Sequence, residues 1–459
     1  MLGRLVPITI LALVVSESVL IASMFVLAVY LIADIDPVLW LVYENGLWRI
    51  LVLTGIIVFA LYFQDLYSRF RVANRTLLVQ QICLGLGVGF LTQAMFSYVA
   101  PALLLPRWIM MIGSLLLLVT LPVWRVLYSA AVTQGLAAER VLMVGASPIS
   151  IEIAEAIRTR PELGMALAGF VLDGPPPAQL SSFPVLGNIE DFRRIVADSK
   201  PSRVIVGLIE RRQRMPVREL LDVKFSGVVV EYAATTYEAL FGRVSSQNLQ
   251  PSQLIFSSEL GPRPPILRLQ NIYSFAFALI GVILAAPIML IVAILVKLTS
   301  KGPALYRQRR VGMHGEIFTV MKFRSMRQDA EAKTGAVWAR RGDPRITAFG
   351  RFMRKTRLDE LPQLFNVLRG EMSMVGPRPE RPEFVTELSE KIPFYRQRHF
   401  VKPGITGWAQ INHKYGDSIE DTITKLEYDL YYLKNLSPAL DLYIMFHTVK
   451  TMLLSRGAQ

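Results

Sequence analysis

The run IYSFAFALIGVILAAPIMLIVAILVKL, Ile272 to Leu298, carries no charge before Lys297 and has a proline, Pro287, near its middle. As a straight helix it would extend about 40 Å, enough to cross a bilayer. Crossing would put residues 138–270 and 299–459 on opposite sides of the membrane. Both flanks are basic, however: Arg263 and Arg268 precede the run, and Lys297, Lys301, Arg307, Arg309 and Arg310 close or follow it. Pro287 also removes a backbone hydrogen bond from the middle of any helix. The expectation is a re-entrant helix-break-helix that enters and leaves on the cytoplasmic face. Its cost is unsatisfied backbone at membrane depth, which other protein must cover.

Toward the N-terminus lie four more apolar segments, near residues 6–33, 47–63, 77–105 and 107–127. The first and third reach the roughly 20 residues that a spanning helix requires. The second is short, and Arg49 must snorkel at one end. Glu17 lies inside the first, either facing the bundle interior or sitting shallower than that segment suggests. Arg4, Arg69, Arg71, Arg75, Arg125 and Arg140 fall on one set of loops, while Asp34, Asp36 and Glu44 follow segment one. The positive-inside rule then puts both ends of this four-helix unit in the cytoplasm.

Residues 138–255 change character. Strand-like runs at Arg140–Gly145, Leu167–Leu172, Arg203–Leu208 and Gly227–Tyr232 alternate with helical stretches, the first over Ile149–Arg158. That alternation predicts a small parallel α/β domain. Its first turn, Gly145-Ala146-Ser147-Pro148-Ile149-Ser150, keeps one glycine of a dinucleotide fingerprint; Ser147 stands where backbone must approach a pyrophosphate. A degenerate Rossmann-like module with a structural or regulatory role is the default reading.

Composition sets the class of partner. The 459 residues are 52% hydrophobic with a net charge of +14, and mean hydropathy is +0.39. From Thr299 onward, 27 lysines and arginines face 17 aspartates and glutamates, so most of the excess lies in the last third. Charge beside apolar spans points to anionic lipid and phosphorylated substrates rather than nucleic acid. One cysteine, Cys83, allows no intrachain disulfide, and His314, His399, His413 and His447 lack metal-ligand spacing.

Within that last third, Ala304–Arg309 and Ile317–Phe323 predict a hairpin through Gly312 to Gly315. Lys425–Leu433 and Pro438–Leu454 predict helices, the second amphipathic with Leu442, Met445, Phe446, Val449 and Leu453 on one side, able to lie against core, the default, or on the membrane surface. Two adjacent carboxylates, Asp359 and Glu360, follow Arg351, Arg354, Lys355 and Arg357 and precede a rigid Gly376-Pro377-Arg378-Pro379 turn. Pro362 and the spacing of Leu361, Leu364, Phe365 and Leu368 predict a helix whose positive end carries both acids. There the dipole and the nearby cations would keep both ionised, as a nucleophile or metal ligand requires.

The string Arg357-Leu358-Asp359-Glu360-Leu361-Pro362-Gln363-Leu364-Phe365-Asn366 through Pro379 resembles the signature of bacterial polyprenyl-phosphate glycosylphosphotransferases. Companion motifs follow in order: Lys301-Gly302-Pro303 through Gly312, Lys322-Phe323-Arg324-Ser325-Met326, and Lys402-Pro403-Gly404-Ile405-Thr406-Gly407-Trp408-Ala409-Gln410. The resemblance implies a fold of three parts: a membrane helical bundle over 1–130, a degenerate Rossmann-like domain over 138–255, and a mainly helical α+β sugar-transferase domain over 265–459. It also implies the re-entrant helix at 272–298, although Ala286 and Asn271 replace a serine and an aspartate common in the family.

By the same resemblance, a hexose-1-phosphate passes from a UDP-hexose to a polyprenyl phosphate lipid at the bacterial inner membrane, opening exopolysaccharide synthesis. Asp359 is the nucleophile, UMP leaves, and polyprenyl phosphate attacks the aspartyl intermediate. The chain has no Gly-rich phosphate loop, so basic side chains, turn amides and Mg²⁺ must hold the diphosphate. Asp359 and Glu360 are the expected catalytic pair and metal ligands, Glu360 placing the metal or assisting the second step. Arg378, between two prolines, leads the phosphate-binding candidates, followed by Lys322, Arg324, Arg354 and Arg357. The resemblance further suggests a homodimer, and Lys414–Asp421 looks like the exopolysaccharide branch. Two other readings are a membrane-anchored nucleotide-sugar dehydratase or epimerase and a non-catalytic assembly scaffold. The missing glycines and the lack of a Tyr-x-x-x-Lys pair in 138–255 count against the first, and the intact acid pair against the second.

Overall fold

A computed structural model describes residues 8–32, 36–64, 66–67, 75–133, 138–160, 163–208, 215–246, 263–327, 343, 345–413 and 418–453. Arg4, Asp34, Arg69, Arg71, the Arg75 side chain and Lys414–Asp417 lie outside them. The chain divides into two compact units, residues 1–239 and 240–459.

The first unit opens with α1 (Ile8–Tyr30), α2 (Gly46–Phe63), α3 (Arg75–Val99) and α4 (Arg107–Thr133). These are the four predicted apolar segments. The third ends sooner than expected because Ala100 precedes Pro101, which disfavours continued helix. With one helix of the second unit, five helices among the described residues are long and apolar enough to cross a membrane. Leu11, Val15, Val19, Val119 and Val123 are exposed on the bundle, a surface suited to lipid.

Inside that bundle Glu17 is fully buried and faces the interior. Its Oε1 lies 2.6 Å from Arg125 Nε, and its Oε2 accepts from Arg125 Nη2 at 2.9 Å and Tyr67 Oη at 2.6 Å. Arg125 Nη1 donates to the Leu66 carbonyl at 2.8 Å. Arg125 is therefore a paired interior cation, not the loop charge that the orientation argument assumed.

The α/β part follows as β1 (Glu139–Val144), α5 (Pro148–Thr159), β2 (Met165–Leu172), β3 (Val185–Asn188) and α6 (Phe192–Ser199). It continues with β4 (Arg203–Val206), α7 (Val217–Phe225), β5 (Val229–Tyr232) and α8 (Ala233–Phe241). The sheet is wholly parallel with order β3-β2-β1-β4-β5. Strand β3 escaped the sequence reading because only four residues carry it and none is buried. At the β1/β4 switch point, Ser147 Oγ caps α5 by accepting from Ser150 N. A Cβ on Gly207 would fall 1.8 Å from Ser150 Oγ, so serine hydroxyls fill the place where a dinucleotide fold keeps glycine.

The second unit begins before the expected boundary. Val244 N donates to the Glu427 carbonyl at 3.1 Å, Ser246 N to Glu427 Oε1 at 2.9 Å, and Trp408 Nε1 to the Gly242 carbonyl at 2.6 Å. Residues 240–246 thus belong to this unit and not to the α/β domain in which residues 138–255 were placed.

Helix α9 (Pro264–Thr299) is continuous, correcting the expected break: Pro287 lies within it. One proline deletes one hydrogen bond in a helix of 36 residues, and the flanking bonds hold the rest. Its buried residues Gln270, Ser274, Ala278, Met289, Val292 and Val296 form a seam along its length. The hairpin β6 (Leu305–Val311) and β7 (Ile317–Phe323) comes next. Then follow α10 (Ala348–Thr356), α11 (Gln363–Leu368), β8 (Ser373–Val375), α12 (Pro382–Lys391), β9 (Gly404–Thr406) and α13 (Trp408–Asn412). Helices α14 (Ile419–Asn435) and α15 (Pro438–Leu453) end the described chain.

The expected core stripe of α15 is also corrected: Leu442 and Val449 are exposed, while Leu440, Asp441 and Ile444 are buried. An aspartate tolerates that place because Gln270 Nε2 (2.8 Å), Tyr432 Oη (2.8 Å) and Tyr273 Oη donate to it.

Glu17→Ala should strip Arg125 of its counter-charge inside the bundle, at a cost of about 3–5 kcal/mol. Thermal unfolding in detergent should fall sharply for that variant and recover in Glu17→Leu/Arg125→Leu; an unchanged midpoint for Glu17→Ala would contradict the assignment.

Candidate active site

Helix α10 starts at Thr347, whose Oγ1 accepts from Gly350 N at 2.9 Å. It ends at Arg357, which adopts a left-handed φ of +59°. A non-glycine residue held there reverses the chain sharply. A single 3₁₀ turn, Leu358–Glu360, follows and carries both acids. Leu358 and Leu361 pack against Met289, Val292, Val296, Phe323 and Met353, so α9 anchors the turn. The acids therefore sit before a six-residue helix, not on a long one, and its dipole is correspondingly weak.

The two carboxylates meet different fates. Glu360 Oε1 accepts from Lys322 Nζ at 2.7 Å and from Arg378 Nη2 at 3.1 Å, while Oε2 accepts from Arg357 Nη1 at 3.2 Å. Burial pushes Glu360 toward its neutral form, but Lys322, Arg378 and Arg357 outweigh it and hold the group well below the usual carboxylate range. Among the described residues Asp359 makes no hydrogen bond or ion pair, although it is only 8% exposed. Burial, and then the charge on Glu360, push its pKa up, with Lys322, Arg354 and Arg378 pulling less strongly the other way. The expectation that cations and helix hold both acids alike is thus corrected: the cations serve Glu360 first.

The basic candidates divide as well. Lys322, Arg357 and Arg378 converge on Glu360. Arg354 donates to Ser325 Oγ at 3.0 Å and lies near enough to Asp359 to act on its charge. Arg324 turns away: its Nη1 donates to the Lys301 carbonyl and its Nη2 to the Ser300 carbonyl, both at 2.8 Å, closing the end of α9. It is a helix-capping cation and does not join the phosphate-facing group expected of it.

Two distant motifs build the Arg378 turn. Strands β8 and β9 pair in parallel, Gly376 N donates to the Thr406 carbonyl at 2.9 Å, and Gly404 N to the Pro377 carbonyl at 3.0 Å. A Cβ on Gly376 would lie 2.3 Å from the Lys402 carbonyl oxygen, so only glycine permits this approach. Sequence reasoning missed Asn366, which is fully buried. Its Nδ2 donates to the Thr319 carbonyl (2.7 Å) and its Oδ1 accepts from Met321 N (3.0 Å), registering α11 on β7 so that Lys322 meets Glu360. The available signal was one polar residue inside Leu364-Phe365-Asn366-Val367-Leu368.

Mg²⁺ favours one or two carboxylates together with substrate phosphates and water. Among the described residues Asp359 makes no hydrogen bond or ion pair, whereas both Glu360 oxygens already accept from cations. Among the described residues no three His, Cys, Asp or Glu side chains gather into a protein-only cage, which is the arrangement this ion least requires.

Residues 266–455 match the model of the bacterial sugar transferase domain, and residues 62–222 that of a CoA-binding domain. The chain is 46% identical over 222 residues to UDP-N-acetylgalactosamine-undecaprenyl-phosphate N-acetylgalactosaminephosphotransferase of Aeromonas hydrophila, covering 48% of this chain and 52% of that one. It thus spans about half the length of that relative. It is 36% identical over 349 residues to UDP-glucose:undecaprenyl-phosphate glucose-1-phosphate transferase of Klebsiella pneumoniae, covering 74% and 73%. A relative of the same name from Escherichia coli K12 is 36% identical over 304 residues, covering 64% and 63%. With the acid turn, the basic cluster and the paired glycine motifs all inside the matched region, the chain belongs to the bacterial polyprenyl-phosphate glycosylphosphotransferases.

Proposed function

We propose that this chain transfers a hexose-1-phosphate from a UDP-hexose to undecaprenyl phosphate, the first membrane step of exopolysaccharide synthesis. The observation that carries the reading is the division of labour at the turn: Glu360 is saturated by Lys322, Arg357 and Arg378, and Asp359 is buried with no hydrogen bond or ion pair among the described residues. A carboxylate so placed beside three cations is suited to attack a phosphorus atom that those cations hold. The relatives' names support the reaction class, one specifying glucose and one N-acetylgalactosamine.

In the first step an Asp359 oxygen attacks the phosphorus that bears the sugar. The bond from that phosphorus to the bridging oxygen breaks, and the electron pair leaves with UMP. In the second, an oxygen of undecaprenyl phosphate attacks the same phosphorus and expels Asp359 as a carboxylate, forming undecaprenyl-diphosphate-sugar. Arg378 binds diphosphate oxygens, with Lys322, Arg357 and Arg354 adding positive charge. Glu360 keeps Lys322 and Arg378 aimed at the site. Mg²⁺ held by Asp359 and substrate oxygens would offset the diphosphate charge. Each substrate occupies the site in turn, which suits a donor from cytosol and an acceptor from lipid.

The same reading puts this unit, with both ends of α9, on the cytoplasmic face of the inner membrane. Both ends of α9 are held by one domain. Gln270, near its start, donates to the Val375 carbonyl (3.3 Å) and to Tyr432 Oη (2.7 Å). Ser300, at its end, is bound by Arg324.

Incubation with UDP-glucose or UDP-N-acetylgalactosamine labelled at the sugar-bearing phosphate, without lipid acceptor, should leave hydroxylamine-sensitive label on the protein. Asp359→Asn should carry none and release UMP about 1,000-fold more slowly or worse. Near-normal UMP release from that variant removes Asp359 as nucleophile.

Since Asp359 must be ionised, kcat/KM should rise with pH through a pKa above the ordinary aspartate value. Lys322 pulls that pKa down, so Lys322→Met should move the acid limb to higher pH; an unmoved limb refutes the electrostatic assignment. For topology, cysteines replacing Pro265 and Pro303 in a Cys83→Ser background should react with an impermeant maleimide from the same side of sealed vesicles. Labelling from opposite sides means that α9 crosses.

A further inference from the structure

We propose that Arg398 and Asp429 are positioning residues for the phosphate clamp, fixing the backbone of Arg378 so that its guanidinium faces Glu360. The proposal rests on reading Arg378 as the phosphate ligand. The turn Gly376-Pro377-Arg378-Pro379 has a structural problem that its prolines create. Neither Pro377 nor Pro379 has an N–H, so the turn must be secured mainly through its carbonyl oxygens. Three successive carbonyls each accept one hydrogen bond, and each from a different element. Pro377 accepts from Gly404 N at 3.0 Å, in β9. Arg378 accepts from Arg398 Nη2 at 2.9 Å, in the 3₁₀ segment Tyr395–Phe400. Pro379 accepts from Arg310 Nη1 at 3.0 Å, in β6.

Arg398 is the contact that holds the clamp residue itself. It is 7% exposed and spreads its planar fork over three partners. Its Nη2 also reaches Asp429 Oδ2 at 2.8 Å and its Nε the same oxygen at 3.1 Å. Its Nη1 donates to Tyr395 Oη at 2.8 Å. Asp429, on α14, is 2% exposed, and the cation opposite it is Arg398. A buried guanidinium without that carboxylate would be strongly disfavoured. The path therefore runs from Asp429 through Arg398 to the Arg378 carbonyl, and from the Arg378 side chain to Glu360 Oε1 at 3.1 Å. A pair serving only the core would satisfy itself locally; this one extends a donor to the backbone of the active-site turn.

The test uses full-length protein in detergent, with Arg398→Lys as the main variant. Lysine keeps the charge opposite Asp429 but lacks the fork needed to hold Asp429, Tyr395 and the Arg378 carbonyl together. Hydrogen exchange of peptides covering 376–381 should quicken about fivefold or more in Arg398→Lys and Asp429→Asn, with β6 and β7 unchanged. With UDP-glucose or UDP-N-acetylgalactosamine, KM should rise about tenfold while kcat stays within about threefold. Arg398→Lys/Arg378→Ala should be no worse than Arg378→Ala alone, since both act through one contact. Wild-type exchange and KM in Arg398→Lys, or losses that add in the double variant, overturn the proposal. Should Asp429→Asn not fold, Arg398→Lys decides. Should the wild-type protein release no UMP from either donor, the functional reading fails, and the exchange experiment alone decides whether the turn is held as proposed.

Discussion

Glu360 gathers Lys322 from β7, Arg357 from the end of α10 and Arg378 from the proline-bound turn onto one carboxylate. Three segments are thereby tied at a single point. The cluster also accounts for the state of its neighbour. Asp359 shares the turn and the burial but, among the described residues, not the bonds, so two adjacent residues of similar chemistry stand in different electrostatic settings.

The apolar helix beneath supplies the floor for this arrangement. Leu358 and Leu361, on either side of the acids, pack on the half of α9 that carries Met289, Val292 and Val296. Leu364 and Val367 pack near Ala278. A turn cannot present two buried carboxylates unless its other face is held, and here hydrophobic contact with a helix suited to lipid holds it. The packing that shapes the turn thus also sets the acid pair against an apolar helix.

In the first unit a comparable solution serves structure alone. Glu17, Arg125 and Tyr67 close on one another inside the helical bundle, with Arg125 also bonding the Leu66 carbonyl. Both clusters place a carboxylate among donors in an apolar setting. At Glu360 three cations converge on one acid, whereas at Glu17 one cation meets one acid and the charge is balanced.

The linear sequence determined the elements whose signals are local. Long apolar runs gave the membrane-type helices, β-branched runs gave β1, β2, β4 and β5, and the acid pair with its basic neighbours marked the site, because periodicity and charge are written residue by residue. It misled where long-range partners decide. Arg324 reads like Lys322, two residues earlier, but it lies just beyond β7, and only the end of α9 at Ser300 explains why one caps a helix while the other meets Glu360. Asp441 interrupts an apolar helix but is buried, since Gln270, Tyr273 and Tyr432 come from elsewhere to satisfy it. Which acid is paired, which cation faces it, and how Pro377 to Pro379 are held were settled by tertiary structure, because each depends on distances between segments that no local pattern encodes.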